Sequence, residues 1–140
     1  MNDLHNNLDI RRVISPVSVS DTTAQVGQWI DRVGYGSLEL AILIGSVADA
    51  DATFTVLVED ADASDKSDSA SVADASLLGT ETLAGFQFDD DGKVRKIGYR
   101  GSRRYVRLTV TPGGNASAAV IAACAMLGDP LSAPTANPPA

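Results

Sequence analysis

The stretch Arg103–Thr111, RRYVRLTVT, decides the fold. Tyr105, Arg107, Thr109 and Thr111 alternate with Arg104, Val106, Leu108 and Val110, the period-two pattern of a strand with one face in water and the other in a core. Val106, Leu108 and Val110 should face inward and Arg107 outward. Downstream, Pro112-Gly113-Gly114-Asn115 closes a turn, and Ala118–Leu127 is long and apolar enough for a strand buried on both faces. A helix is the alternative there, because alanine favours helix. Upstream, Asp89-Asp90-Asp91-Gly92 turns the chain into a strand over Lys93–Tyr99. That strand is expected to form a hairpin with Glu81–Phe88, whose Phe86 and Phe88 would share a face.

Further out the same grammar continues. Ser37–Gly45, SLELAILIG, begins with alternation and ends almost continuously apolar, as a central strand does. Asp49-Ala50-Asp51 turns into Thr53–Glu59, where Phe54, Val56 and Val58 share a face, and a second hairpin is expected. Val13–Ser20 also alternates, but Pro16 confines it to an edge or an extended arm able to pair with another chain. Val26–Val33 is a short extended piece carrying the single tryptophan, Trp29. Asp60–Ser71 is polar and acidic with no large apolar group, so a mobile loop is expected. Val72–Leu78 reads as a short helical turn, with Gly79 suited to a left-handed C-terminal position.

About eight strands bounded by Gly, Asp and Pro predict an all-β, single-domain antiparallel β-sandwich of jelly-roll type. The sandwich is placed at 17–128, between an N-terminal arm at 1–16 and a Pro-rich C-terminal arm at 129–140.

The net charge of -7 opposes a general affinity for nucleic acid, whose binding depends on cations that release counterions. Twelve of the 18 acidic residues lie between Asp49 and Asp91, while seven of the 11 basic ones lie between Lys93 and Arg107. If the sheet order keeps these segments apart, the domain has opposite charged faces. The N-terminal MNDLHNNLDI lacks a basic n-region and an apolar h-region, so no secretory signal is expected. The longest apolar run, Ala116–Leu127, falls short of the roughly 20 residues of a membrane span.

Catalytic chemistry finds no purchase. The single histidine, His5, has no structured context, so neither a Ser-His pair nor a Cys-His pair can be assembled, and the single Cys124 reads as a buried small hydrophobe. The acidic run Asp60, Asp62, Asp65, Asp68 lacks the offsets, central Gly and terminal Glu of a calcium loop. Asp89–Asp91 reads as a hydrated turn, and no phosphate-cradling glycine motif occurs. The expectation is a non-enzyme with no cofactor and no metal.

The strongest local feature is KVRKIGYRGSRRYVRL, Lys93–Leu108, in which Tyr99 and Tyr105 interleave with seven cations. Arg and Tyr are enriched in interface hot spots, so a protein interface fits better than a nucleic-acid site. The competing reading is a solvated hairpin whose arginines pair with Asp89–Asp91. The interface residues read from the sequence are Trp29, Tyr35, Tyr99, Arg100, Arg103, Arg104, Tyr105 and Arg107. Reversing Arg103, Arg104 and Arg107 to Glu should then leave the fold intact while abolishing assembly.

Taken in order, SLELAILIGSVADADATFTVLVEDAD, SVADASLLGTET, GYRGSRRYVRLTVTP and the apolar strand ending in LGDP resemble a family of small accessory head proteins of tailed bacteriophages. The resemblance spans roughly Ile30–Pro130. It implies a decoration, cement or minor capsid protein of the virion, made in the host cytoplasm, that binds the major capsid protein and associates with itself as a dimer or trimer. It carries over no catalytic residue; from charge and hydropathy, neither a nucleic-acid nor a membrane partner is expected. The alternatives are a head-tail joining or tail structural protein and a binding module for carbohydrate or a host surface.

Overall fold

In the computed structural model, which describes residues 2–139, strand takes 51% of the chain and helix 7%, so the all-β class holds. The alternation of RRYVRLTVT appears as a nine-residue strand, Tyr105–Gly113, with Val106, Leu108 and Val110 all at 0% exposure. In chain order the strands are β1 (Asp9–Val19), β2 (Gln25–Val26), β3 (Ile30–Asp31), β4 (Tyr35–Val47), β5 (Thr53–Ala61), β6 (Ala70–Ser71), β7 (Leu77–Leu78), β8 (Phe86–Gln87), β9 (Val94–Tyr99), β10 (Tyr105–Gly113) and β11 (Ala119–Pro130). One helical turn, α1 (Glu81–Ala84), precedes β8.

Two antiparallel sheets face each other. The first has five strands in the order β1-β11-β4-β9-β7. The second is built on β10 paired with β5, with β2 and β3 along the far edge of β10 and β6 and β8 along the far edge of β5. From β4 onward each successive long strand, β4, β5, β9, β10 and β11, lies in the other sheet, and β11 returns between β1 and β4, which is the wiring of a jelly roll. Their inward rows meet in one core, with Leu40, Ile42, Ile97 and Ile121 of the first sheet packed with Val58, Val106 and Leu108 of the second. That burial is what repays the ordering of the strands.

This wiring corrects both expected hairpins. Asp49–Asp51 and Asp89–Gly92 do reverse the chain, with Gly92 at a φ of 72°, but β4 pairs with β11 and β9 while β5 pairs with β10. Likewise β8 lies on β5, and β9 on β4 and β7. Each turn carries the chain across the sandwich. The expected strand over Glu81–Phe88 is also corrected. Thr80 caps α1 by accepting a hydrogen bond from the Leu83 N–H at 3.0 Å, so Phe86 turns inward at 4% exposure while Phe88 is 42% exposed.

Pro16 sits on an edge strand as expected, and β1 bulges between Arg12 and Val17. Half of the segment read as an N-terminal arm is in the sheet: β1 pairs with β11 from Asp9 onward, and Val13 and Ile14 are buried. The preceding residues meet the Pro-rich tail, where Thr135 donates from its N–H to the Asn6 carbonyl at 3.0 Å and from its hydroxyl to the Leu8 carbonyl at 2.7 Å. The outermost residues of the two expected arms, Met1 and Ala140, lie outside the described residues. No helix among the described residues is long and apolar enough to cross a membrane.

Gly27, between β2 and β3, shows how closely this edge of the second sheet approaches β1 of the first. A Cβ there would lie 2.5 Å from the Leu108 carbonyl oxygen and 2.6 Å from a Val13 methyl. Only glycine admits that approach.

Candidate functional site

The β5–β10 register sets Arg107 opposite Glu59, Val106 opposite Asp60 and Tyr105 opposite Ala61. The acidic and basic stretches of the sequence are therefore neighbours, and the expected opposite charged faces do not form. Arg107 pairs with Glu59 at 2.8 Å and lies over the Trp29 ring at 4.5 Å from its centre. Arg104 grips Asp31 through two hydrogen bonds, of 2.9 and 2.8 Å, and these hold the Asp31 carboxyl below its ordinary pKa. Arg104 and Lys66 both lie over the Tyr105 ring, at 5.1 and 4.2 Å.

Tyr99, expected on the surface, is a buried hub at 2% exposure. Its hydroxyl donates to Asp60 at 2.8 Å and accepts from the Arg103 N–H at 3.1 Å, while Arg32 covers the ring at 5.0 Å. Burial, then the Asp60 hydrogen bond, push its pKa up to about 12. Arg103 reaches the Asp68 carbonyl at 2.9 Å and stands within 4 Å of the Asp60, Asp62 and Asp68 carboxylates. Asp68 also accepts the N–H groups of Asp62 and Ala63, which organises the loop expected to be mobile. Arg100 is exposed and donates to the Ala75 carbonyl at 3.0 Å; Tyr35 is half-buried beneath Arg11, at 5.6 Å.

The eight residues thus gather at one end of the sandwich, but as a network of partners within the chain. Arg103, Arg104 and Arg107 pair with Asp31, Glu59, Asp60, Asp62 and Asp68, and among the described residues only Arg95 of the arginines expected to meet Asp89–Asp91 does so, at Asp90. A legible signal was available: TVLVED and RRYVRL alternate with the same period and opposite charge, which suits cross-strand pairs.

A second feature escaped the sequence reading. Beside the open edge of β5, between α1 and β8, lies a cleft of about 540 Å³. Thr53, Thr55, Thr82 and Gln87 line it beside Phe54 and Phe86, whose buried rings stack 4.5 Å apart and inclined by 9°. Glu81 accepts the Val58 N–H at 2.8 Å in place of a missing strand partner. Asp90 accepts the Gln87 N–H at 2.9 Å and pairs with Lys93 and Arg95 at 3.1 and 2.8 Å. The Gln87 hydrogen bond, ahead of the two cations, holds its carboxyl below the ordinary value. Hydroxyl, amide and carboxylate groups lining one cleft suit hydrogen bonding to a neutral polar ligand. Among the described residues no group of three or more His, Cys, Asp and Glu is placed to hold a metal ion.

A third feature is the outer face of the five-stranded sheet. β11 turns Val120, Ala122, Cys124 and Met126 outward beside Leu43 of β4 and Val94 of β9. Leu43 is 47% and Val94 59% exposed, so β11, apolar on both sides in sequence, is covered on one.

No family model matches the chain, and no curated protein matches it. Among solved structures it is similar to the PBSX exported protein XepA, with a TM-score of 0.56 and 15% identity over 91% of this chain and 39% of that one. It is also similar to the CBM22-1–GH10 modules of xylanase 10B from Clostridium thermocellum complexed with xylohexaose, with a TM-score of 0.50 and 9% identity over 95% of this chain and 28% of that one. The chain thus spans less than half the length of either. At such identities the likeness is one of fold, and the fold is a two-sheet antiparallel β-sandwich.

Proposed function

We propose that this chain is a non-enzymatic binding module of a tailed-phage particle that engages a carbohydrate or similarly hydroxylated surface through the cleft beside β5. The observation that carries the reading is the cleft itself, lined by Thr53, Thr55, Thr82 and Gln87 together with the hydrogen-bonded carboxylates of Glu81 and Asp90. The sandwich shared with a xylanase structure holding xylohexaose supports it, as does the internal pairing of the arginines that a basic docking face would need. The phage assignment rests on the ordered sequence segments between Ile30 and Pro130. Titration calorimetry with xylohexaose and with host surface polysaccharide is expected to show saturable binding to at least one of them. Gln87→Ala or Thr82→Ala should weaken it about tenfold, the worth of one hydrogen bond. Absence of binding to both, and to a broad glycan array, overturns the reading.

The second reading is a head accessory protein bound to the major capsid protein, and the uncovered apolar sheet face favours it. Saturable co-sedimentation with shells of that protein at a fixed ratio, with a raised shell melting temperature, would put it first.

A further inference from the structure

We infer that the outer face of the five-stranded sheet is an interface with a second copy of this chain, the two sheets packing face to face about a two-fold axis.

The inference is independent of what the cleft binds. A strand that is apolar on both faces belongs where both are covered, and β11 is covered on one. Of the outward residues of β4, β9 and β11, only Glu39 and Lys96 are charged, one of each sign, on a chain of net charge -7. They sit diagonally across the β4–β9 ladder, since Glu39 opposes Gly98 and Lys96 opposes Ala41. Among the described residues neither forms an ion pair within 4 Å. A two-fold axis lying in the interface and bisecting the line between them sets each Glu39 against the Lys96 of the other copy. That is the self-complementarity an isologous contact requires.

The size also suffices. Taking ~4.8 Å between strands and ~3.4 Å per residue along Val120–Gly128, the face measures ~500 Å², so two copies cover ~1,000 Å², where specific interfaces begin. Arg12 at the β1 edge is turned aside, donating to Gln28 and Ser15 at 3.0 and 3.1 Å, and does not oppose the contact.

Sedimentation velocity of the full chain at ~100 µM should give twice the 14.5 kDa monomer mass. Leu43→Asp with Val94→Asp, both at exposed positions, should return it to the monomer with an unchanged circular dichroism spectrum. Glu39→Lys alone should weaken the dimer at least tenfold, and adding Lys96→Glu should restore it, because the swapped pair meets its mirror. A wild-type monomer at that concentration overturns the inference, whether a capsid subunit or nothing covers the face. So does a dimer indifferent to Leu43→Asp with Val94→Asp, or a swap that fails to restore the Glu39→Lys variant.

Discussion

At the end of the sandwich where β10 begins, Arg103, Arg104 and Arg107 each have a carboxylate within 4 Å; on the outer face of the five-stranded sheet, Leu43, Val94 and Leu78 stand 47%, 59% and 50% exposed. The sequence draws the eye to the first region, with its seven cations in a short run, and passes over the second as plain strand. Folding reverses their standing. A long cation finds an acid on the next strand at little cost, so a dense charge run can be consumed internally. An apolar row has no such local remedy, because water is its only neighbour until another surface arrives. Where the register lets opposite charges meet, the uncovered apolar face is the better guide to a partner.

The sharpest way to break this contrast is to reverse Arg103, Arg104 and Arg107 to Glu together. As a free basic face they would be dispensable for folding, as the sequence suggested. As they stand, reversal sets Glu against Glu59, Asp31 and the Asp60–Asp68 cluster, and like charges directly opposed on paired strands are destabilising. The melting temperature is expected to fall by about 10 °C or more, against roughly 2 °C for Leu43→Asp with Val94→Asp measured below the dimer concentration. Calorimetry showing equal small shifts would return the arginines to the solvent.

Tyr99→Phe probes the same network from its centre. Removing the hydroxyl leaves the Asp60 carboxylate and the Arg103 N–H one partner short, a cost of about 1–2 kcal/mol in urea unfolding at pH 7. Its pH dependence has a definite sign. The folded-state pKa of about 12 lies above the ordinary value of 10, so Tyr99 contributes stability that is fully present below pH 10 and is lost as pH rises toward 12. The wild type should therefore lose its advantage over Tyr99→Phe across that window. A gap that stays constant from pH 9 to 12 would remove Asp60 and burial as the cause.

These tests fall where sequence reading was strongest and weakest. The inward row of β10, the central place of β4 and the edge position of Pro16 were legible because alternation and proline chemistry are local. The sheet to which each strand belongs was not, since Asp-Gly turns fix where the chain reverses and not whether it crosses the sandwich. The cap at Thr80 was readable in principle, but Phe86 and Phe88 two apart mimic a strand. Tyr99 was placed on the surface because its cationic neighbours are polar, yet Asp60, 39 positions away, gives its hydroxyl a buried partner. The cleft had no sequence signature, because it exists only where α1 and β8 lie against β5.

The smallest expected effect separates the two regions most finely. Glu39 lies on the apolar face, and burial raises its pKa while Lys96 partly offsets this. A carboxyl with a raised folded-state pKa contributes stability below its unfolded pKa, near 4.3 for Glu, and loses it as pH rises through the folded value; at neutral pH that contribution is gone. Glu39→Gln should therefore raise the stability of the isolated monomer, by no more than about 0.5 kcal/mol once solvent screening is allowed for. In the dimer the same change removes half of each exchanged ion pair, so association should weaken. The two signs are opposite, and no charged residue at the paired end of the sandwich should behave so, because there Arg and Asp find each other within one chain. Chemical denaturation in dilute solution and sedimentation at ~100 µM measure the two effects separately. A Glu39→Gln variant that is both less stable and equally dimeric would mean that Glu39 is already satisfied by Lys96 within its own chain, and the apolar face would then carry no mark of a second copy.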